Sequence, residues 1–224
     1  MKLQYKKNFF PNLFSWQELE NLVNSQTHLI QSKFPTGDDN QEDLFFEQWE
    51  ELDSGPWKGC SDEIPISIFK NFIEKHPIFY IMDCSRVKKI FNDFCRELEE
   101  LEERPFDVHI FAHYKNIKHK HPFGCHWDRQ SNVIVQCEGQ THWKVWPEID
   151  PKEYTSEDNG AGNLKLETEP IIDVVLKPSD ALWIPCHYPH EAKSTTKRLS
   201  ISFAGHRIKT TDKKWYRNRE WVTL

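Results

Sequence analysis

Two periodicities divide this chain near residue 105. Before that point apolar positions recur at helical spacing. Ser15-Trp-Gln-Glu18 has the form of a capping box, in which the serine oxygen takes a free amide at a helix start and Glu18 reaches back. Leu19, Leu22 and Val23 follow as an apolar stripe, so the pattern predicts a first helix over about 16–25. Thr36-Gly-Asp-Asp-Asn reads as a turn and residues 43–53 as an acidic loop with embedded aromatics. Pro65 opens a second short helix through Lys75. Ser85 is expected to cap a third, with Val87, Ile90, Phe91, Phe94 and Leu98 on one face through about Glu103.

After Arg104-Pro105 the period becomes two. Val108, Ile110 and Ala112 alternate with His109, Phe111 and His113, and apolar strands follow at 132–137, 141–146, 171–176, 181–184 and 199–203. Gly139-Gln140 is expected to make a tight hairpin. Helices gathered in the first half and at least six short strands in the second predict an α+β chain, mainly β, built as an antiparallel barrel or sandwich. The expected organisation is an N-terminal helical elaboration over 1–104, a core over 105–208 and a tail over 209–224, packed as one structural domain. Residues 154–163, rich in Ser, Asp, Asn and Gly, are expected to form an exposed loop.

Composition narrows the class. At 224 residues the chain can bury one good core, and its 13% aromatic content suits dense packing. No long uncharged apolar run suggests a membrane span, and the basic start Met1-Lys-Leu-Gln-Tyr-Lys-Lys lacks the apolar stretch of a signal peptide. The six cysteines (Cys60, Cys84, Cys95, Cys125, Cys137, Cys186) form no Cys-x-x-Cys pair, which favours free thiols in a reducing, cytoplasmic setting. A net charge of −6 argues against broad nucleic-acid binding, and the basic clusters at 115–120 and 209–219 read as solvated loop and tail.

The candidate chemistry lies in His126-Trp-Asp128 and in His190, which follows Asp180-Ala-Leu-Trp-Ile-Pro. A His-x-Asp triplet recurs by chance, so context carries the weight. Residues two apart on an extended strand point the same way, so His126 and Asp128 can reach one ion, and His190 can join them from a neighbouring strand. Two imidazoles and one carboxylate on one face suit a non-haem ferrous ion and leave three coordination positions open. His187, three positions before His190, competes for the role.

The stretches 123–147 and 177–203 resemble the JmjC/cupin-like iron(II) and 2-oxoglutarate-dependent oxygenases. The similarity runs through Gly124-Cys-His-Trp-Asp, Asn132, Gln136, Glu138-Gly139 and Trp143-x-Val145-Trp-Pro, then Lys177-Pro-Ser-Asp-Ala-Leu-Trp-Ile-Pro-Cys-His-Tyr-Pro-His and Leu199-Ser-Ile-Ser-Phe. It implies a double-stranded β-helix barrel with N-terminal helices, Fe(II) on His126, Asp128 and His190, and 2-oxoglutarate and O2 as co-substrates. Many members carry a basic residue for the far co-substrate carboxylate where this chain has Thr141, which cannot neutralise a carboxylate. Arg198-x-Ser200 resembles the Arg-x-Ser pair of other 2-oxoglutarate oxygenases, and arginine's planar fork suits the task. Asn132, Thr141 and Tyr114 are further expected pocket groups, and His142, Lys144 and Lys193 weaker substitutes for the base. Trp127, Trp183 and Tyr188 either line the pocket or pack the core, and core is the expectation for Trp183.

The resemblance implies hydroxylation of a protein side chain or a small molecule coupled to formation of succinate. Asp128 favours hydroxylation over halogenation, for which relatives replace the carboxylate with a small residue, while ligand identity leaves demethylation open beside hydroxylation. Two rivals remain at the level of sequence. One is a metal cupin, dioxygenase or isomerase, that binds its substrate directly without 2-oxoglutarate, motivated by Thr141. The other is a non-catalytic barrel retaining a structural metal.

Overall fold

The computed structural model describes residues 1–25, 31–33, 78–82, 84–114, 124–150, 152, 164–194 and 196–206. The expected turn at 36–40, acidic loop at 43–53, helix at 65–75, basic clusters at 115–120 and 209–219, loop at 154–163 and tail lie outside the described residues.

Ten strands are described: β1 (Gln4–Lys6), β2 (Gln31–Lys33), β3 (Ile78–Met82), β4 (Phe106–His113), β5 (Asn132–Glu138), β6 (Thr141–Val145), β7 (Ile172–Leu176), β8 (Ala181–Ile184), β9 (His190–Lys193) and β10 (Arg198–Gly205). They form a seven-stranded sheet in the order β1-β8-β5-β10-β4-β3-β2 and a three-stranded sheet β7-β6-β9. All pairings are antiparallel, and a bridge between His126 and His190 attaches the 126 segment to the free side of β9. From β4 onward the chain repeatedly crosses between sheets, with β4, β5, β8 and β10 in the large one and residue 126, β6, β7 and β9 in the small one. This winding is a jelly roll, the double-stranded β-helix expected from the motifs. Gly139, at φ 68°, does turn the chain, but β5 and β6 do not pair as a hairpin. Both edges of β5 are taken by β8 and β10, so the turn delivers β6 to the opposite sheet.

The large sheet buries both faces. On its outer face Val108, Ile110, Ala112, Val133, Val135, Leu199, Ile201 and Phe203 pack against two helices, α1 (Trp16–Ser25) and α2 (Lys89–Glu102). Phe203 meets Phe10, Phe91 and Phe94 with ring centroids 4.8–6.3 Å apart. Each such ring, fully buried, contributes roughly 1.5–3 kcal/mol. Between the sheets a smaller cluster of Ile134, Trp143, Val145, Leu176, Leu182 and Ile184 fills the barrel.

Helix α1 runs as its pattern predicts. The Ser15 amide donates to Glu18 Oε2 at 2.8 Å and the Glu18 amide to Ser15 Oγ at 3.3 Å, closing the capping box. The start of α2 differs: Ser85 lies in a 3-10 turn (Cys84–Arg86), its amide 3.4 Å from Asp107 Oδ1, and the helix begins at Lys89 without a side-chain cap. Phe91, Phe94 and Leu98 are buried as expected, whereas Ile90, at the first turn, is exposed. Strands β1, β2, β3 and β9 are not expected from the pattern: β1, β2 and β9 show no apolar run or alternation, and β3, Ile-Phe-Tyr-Ile-Met, is a continuous apolar run without a period of two. Asp180 holds β1 in place by accepting from Tyr5 Oη at 2.8 Å and the Asn8 amide at 3.1 Å. Burial and this carboxylate push the Tyr5 phenol up to about 12.

Candidate active site

His126, Asp128 and His190 converge where the 126 segment meets β9, and their ligand atoms all lie within 4.8 Å of one another. Reciprocal backbone hydrogen bonds fix the two segments, His190 N to His126 O at 2.7 Å and His126 N to His190 O at 3.1 Å. Each imidazole is anchored in the same way. Nδ1 of His126 lies 3.1 Å from the Gly124 carbonyl and Nδ1 of His190 lies 2.9 Å from the Tyr188 carbonyl. A carbonyl only accepts, so both Nδ1 atoms carry hydrogen and both Nε2 lone pairs are left for an ion. Gly124, at φ 55°, takes the left-handed conformation that suits glycine in this turn.

Asp128 completes the set. Its Oδ2 accepts from Asn132 Nδ2 at 2.7 Å and lies 3.6 Å from His190 Nε2. Burial, followed by the neighbouring His126, presses the His190 imidazolium down to about 4, against the opposing pull of Asp128. A neutral imidazole is what a metal requires. A divalent ion bonded at about 2.1 Å needs adjacent donors about 3 Å apart, close to the 3.6 Å between Asp128 Oδ2 and His190 Nε2, whereas the widest pair, at up to 4.8 Å, would have to draw in further to seat one. The donor set therefore suits a divalent first-row metal, with the Asp128 carboxylate held by Asn132.

His187 stands apart from this cluster. It occupies the turn before β9 at φ 65°, donates its amide to the Asp128 carbonyl at 2.9 Å and packs its ring on Trp127 at 5.3 Å. Trp143 lies 6.0 Å from the His190 ring on its other flank.

A second buried polar group lies on β4, β5 and β10. Arg198 is 4% exposed, yet its contacts are neutral: Nη1 donates to Ser200 Oγ at 3.1 Å and Nη2 to His113 Nε2 at 3.1 Å. Ser200 in turn donates to Gln136 Oε1 at 3.0 Å, and Gln136 Nε2 donates to the carbonyls of Glu138 and Leu199 at 2.7 and 3.3 Å. Arg198 Nε and Thr141 Oγ1 are buried without a partner among the described residues. Burial lowers the guanidinium to about 10, which leaves it charged at neutral pH. Among the described residues this buried cation has only neutral partners and an orphaned donor, a chemistry that suits an anion such as a co-substrate carboxylate.

Of the expected pocket groups, Asn132 bears on Asp128, and Thr141, Arg198 and Ser200 are buried on inward-facing positions. Tyr114 is not in the pocket. It follows His113 on the opposite face of the sheet, 5.7 Å from Trp16 and capped by Lys197 at 5.0 Å, because strand alternation reverses direction at each residue. His142, Lys144 and Lys193 also turn outward, where His142 and Lys144 pair with Asp173, and Lys193 with Glu191. Trp183 packs outside the barrel against Phe9. The residue that sequence reading passed over is His113, seen there only as one of the positions alternating along β4. Its inward parity with His109 and its register opposite Arg198 are the signal that identifies it.

A jelly-roll barrel with a His-Asp-His cluster between its sheets defines the cupin-like class. Residues 88–213, more than half of the chain, match the model of the JmjC domain, and the chain belongs to that family. Relatives include the bifunctional lysine-specific demethylase and histidyl-hydroxylase NO66 of Caenorhabditis elegans, 30% identical over 96 residues, covering 42% of this chain and 12% of the relative. The Caenorhabditis briggsae NO66 is 28% identical over 130 residues, covering 56% and 16%. Among solved structures, YcfD, a ribosomal oxygenase from Escherichia coli in complex with cobalt and 2-oxoglutarate, aligns with a TM-score of 0.57 at 18% identity, over 92% of this chain and 48% of that one. The chain thus spans about an eighth to a sixth of these NO66 proteins and about half of YcfD.

Proposed function

We propose that this protein is an Fe(II)- and 2-oxoglutarate-dependent oxygenase that hydroxylates a protein side chain. The observation that carries the reading is the pairing of a metal-ready His126/Asp128/His190 set with a buried, anion-seeking Arg198 inside one barrel. Family membership supports it, as do the histidyl-hydroxylase among the relatives and the oxygenase bound to cobalt and 2-oxoglutarate among the structural neighbours. Those two also favour a protein side chain over a small molecule.

In this reading His126, Asp128 and His190 hold the metal, and Asn132 keeps the Asp128 carboxylate turned toward it. Arg198, Ser200 and Thr141 receive the far carboxylate of the co-substrate. When bound, iron and 2-oxoglutarate supply oxygen activation: the keto acid and O2 give succinate and CO2 while one oxygen atom enters a substrate C–H bond. Trp143, Val145, Leu182 and Ile184 keep the barrel interior apolar and exclude water from the reaction. Residues 105–208 form the catalytic core of this assignment. Cys84, Cys95, Cys125, Cys137 and Cys186 are thiols rather than half-cystines, which favours a cytoplasmic setting. No helix of the described residues is long and apolar enough to cross a membrane.

Anaerobic titration of the Fe(II)-loaded protein with 2-oxoglutarate tests the reading through the weak visible charge-transfer band of the chelated keto acid. The expected result is a saturable band, followed on admission of O2 by succinate and, with a histidine-containing peptide, a mass gain of one oxygen atom. Bound iron without a band would favour a cupin that takes its substrate directly, as Thr141 in place of a basic residue would allow.

A further inference from the structure

We infer that His113 is the positioning residue of the anion subsite: as a neutral acceptor on β4 it aims the Arg198 guanidinium at the far carboxylate of a 2-oxoglutarate-class dianion. The cationic element of this pocket is then a cross-strand pair on β4 and β10 rather than one long side chain on β6. The inference rests on the oxygenase reading and concerns how this chain holds the co-substrate.

Three observations lead to it. His113 and Arg198 are opposite each other in the β4–β10 register, both almost fully buried, and joined Nη2 to Nε2 at 3.1 Å. Arginine has no acceptor, so His113 Nε2 must be the unprotonated nitrogen. Burial, reinforced by Arg198 itself, pushes the His113 imidazolium down to about 2, so the ring stays neutral. The second observation is the chemistry of the other partner. Ser200 is also neutral, so Arg198 is oriented on two sides without its charge being cancelled. An arginine serving only the fold is expected to meet a carboxylate, because a buried unpaired cation is costly. Here the two neutral acceptors consume one N–H on each Nη, and Nε remains orphaned, which leaves a fork able to bind a carboxylate bidentately.

The third observation is where Thr141 sits. It begins β6 two residues after Gly139, and a Cβ built on Gly139 would stand 3.0 Å from Arg198 Cα. The turn into β6 therefore lies against the start of β10. Thr141 brings its orphaned hydroxyl to the end of the barrel where the Arg198 pair is found.

The test is calorimetric titration of the Mn(II)-loaded protein with 2-oxoglutarate and, in parallel, with pyruvate, a keto acid lacking the far carboxylate. His113→Gln keeps an acceptor and should bind 2-oxoglutarate within about 3-fold of wild type. His113→Glu places a carboxylate on Arg198 and should weaken 2-oxoglutarate about 10- to 100-fold, as should Arg198→Gln. His113→Phe, which keeps a ring but no acceptor, should weaken it about 10-fold and stands in if the glutamate variant does not fold. Pyruvate affinity should change in none of them. Wild-type affinity for 2-oxoglutarate in folded His113→Glu or in His113→Phe overturns the inference, and so does equal loss of pyruvate, which would signal collapse of the site. A wild-type protein that binds Mn(II) but not 2-oxoglutarate instead overturns the oxygenase reading beneath it.

Discussion

Strand β10 presents two buried faces with opposite chemistry. Leu199, Ile201 and Phe203 point outward into the helical layer, and Arg198, Ser200 and Ser202 point into the barrel, all of them under 5% exposed. The outer face gains free energy from burial of apolar area. The inner face holds a guanidinium, two hydroxyls and the glutamine and histidine that meet them, which an apolar set of similar volume would match or exceed in stability. Equal burial with opposite polarity separates what folds the protein from what the fold is kept for. The separation has consequences in order of size.

The largest lies on the outer face. Phe203→Ala should cost about 3–5 kcal/mol of unfolding free energy, because Phe10, Phe91 and Phe94 surround the ring and leave a cavity when it is removed. Urea denaturation with an unchanged slope would measure it. A loss below about 1 kcal/mol would mean that the helical layer repacks freely, and the outer face would lose its claim to be the stabilising one.

On the inner face the effect should fall on binding alone. Arg198→Met should weaken 2-oxoglutarate about 100-fold while leaving the thermal midpoint unchanged or higher, since an unpaired buried cation is replaced by an apolar chain of similar length. A midpoint lowered by many degrees would place Arg198 among the structural residues and erase the contrast between the faces. Smaller again is Asn132→Ala. Loss of the 2.7 Å hydrogen bond to Asp128 Oδ2 frees the carboxylate to rotate, and metal affinity measured against a competing chelator should fall about 10-fold. Unaltered metal affinity would reassign Asn132 to the co-substrate, the role expected of it from sequence.

The outer face was the more legible of the two. Val108, Ile110 and Ala112 announced β4 because one apolar face alternating with another side-chain type is a periodic signal, and the capping box at Ser15 located α1 to the residue. The candidate metal set of His126, Asp128 and His190 was legible through its context: a His-x-Asp spacing recurs by chance, and the two ordered motifs around it singled it out. Strand β9 was not read as a strand, although His190 was placed on a neighbouring one, because four residues with one inward histidine carry no period. The pairing of His113 with Arg198 lies 85 positions apart in sequence, so only the antiparallel register of β4 with β10 brings it out. Tyr114 was misplaced for the same reason, since one residue of parity decides whether a side chain enters the barrel. Ser85 was misread because a cap signal is local, while the burial of Cys84 and Ser85 under the sheet draws that turn into a 3-10 bend before the helix can start.

Acid stability offers the finest discrimination between the faces, because apolar residues do not titrate and His113 does. Its imidazolium is pushed far below the ordinary value of 6.5 in the folded protein, to about 2. The unfolded chain therefore takes up a proton below pH 6.5 that the native state refuses, and acidification favours unfolding. The stability tied to the neutral ring is fully present above pH 6.5 and declines as pH falls through the interval toward the folded value, by about 1.4 kcal/mol per pH unit for one proton. His190, lowered to about 4 by burial and His126, adds a similar decline in metal-free protein over a shorter interval, so wild type alone does not isolate either residue. The difference between chelator-treated wild type and His113→Gln does. Unfolding free energies measured from pH 7.5 to 5 should show the variant losing about one proton's worth less slope below pH 6.5, and its profile should meet that of wild type in slope above it. Parallel profiles throughout would mean that His113 accepts a proton in the native barrel, which its hydrogen bond from Arg198 forbids, and the neutral lining of the inner face would have to be redrawn.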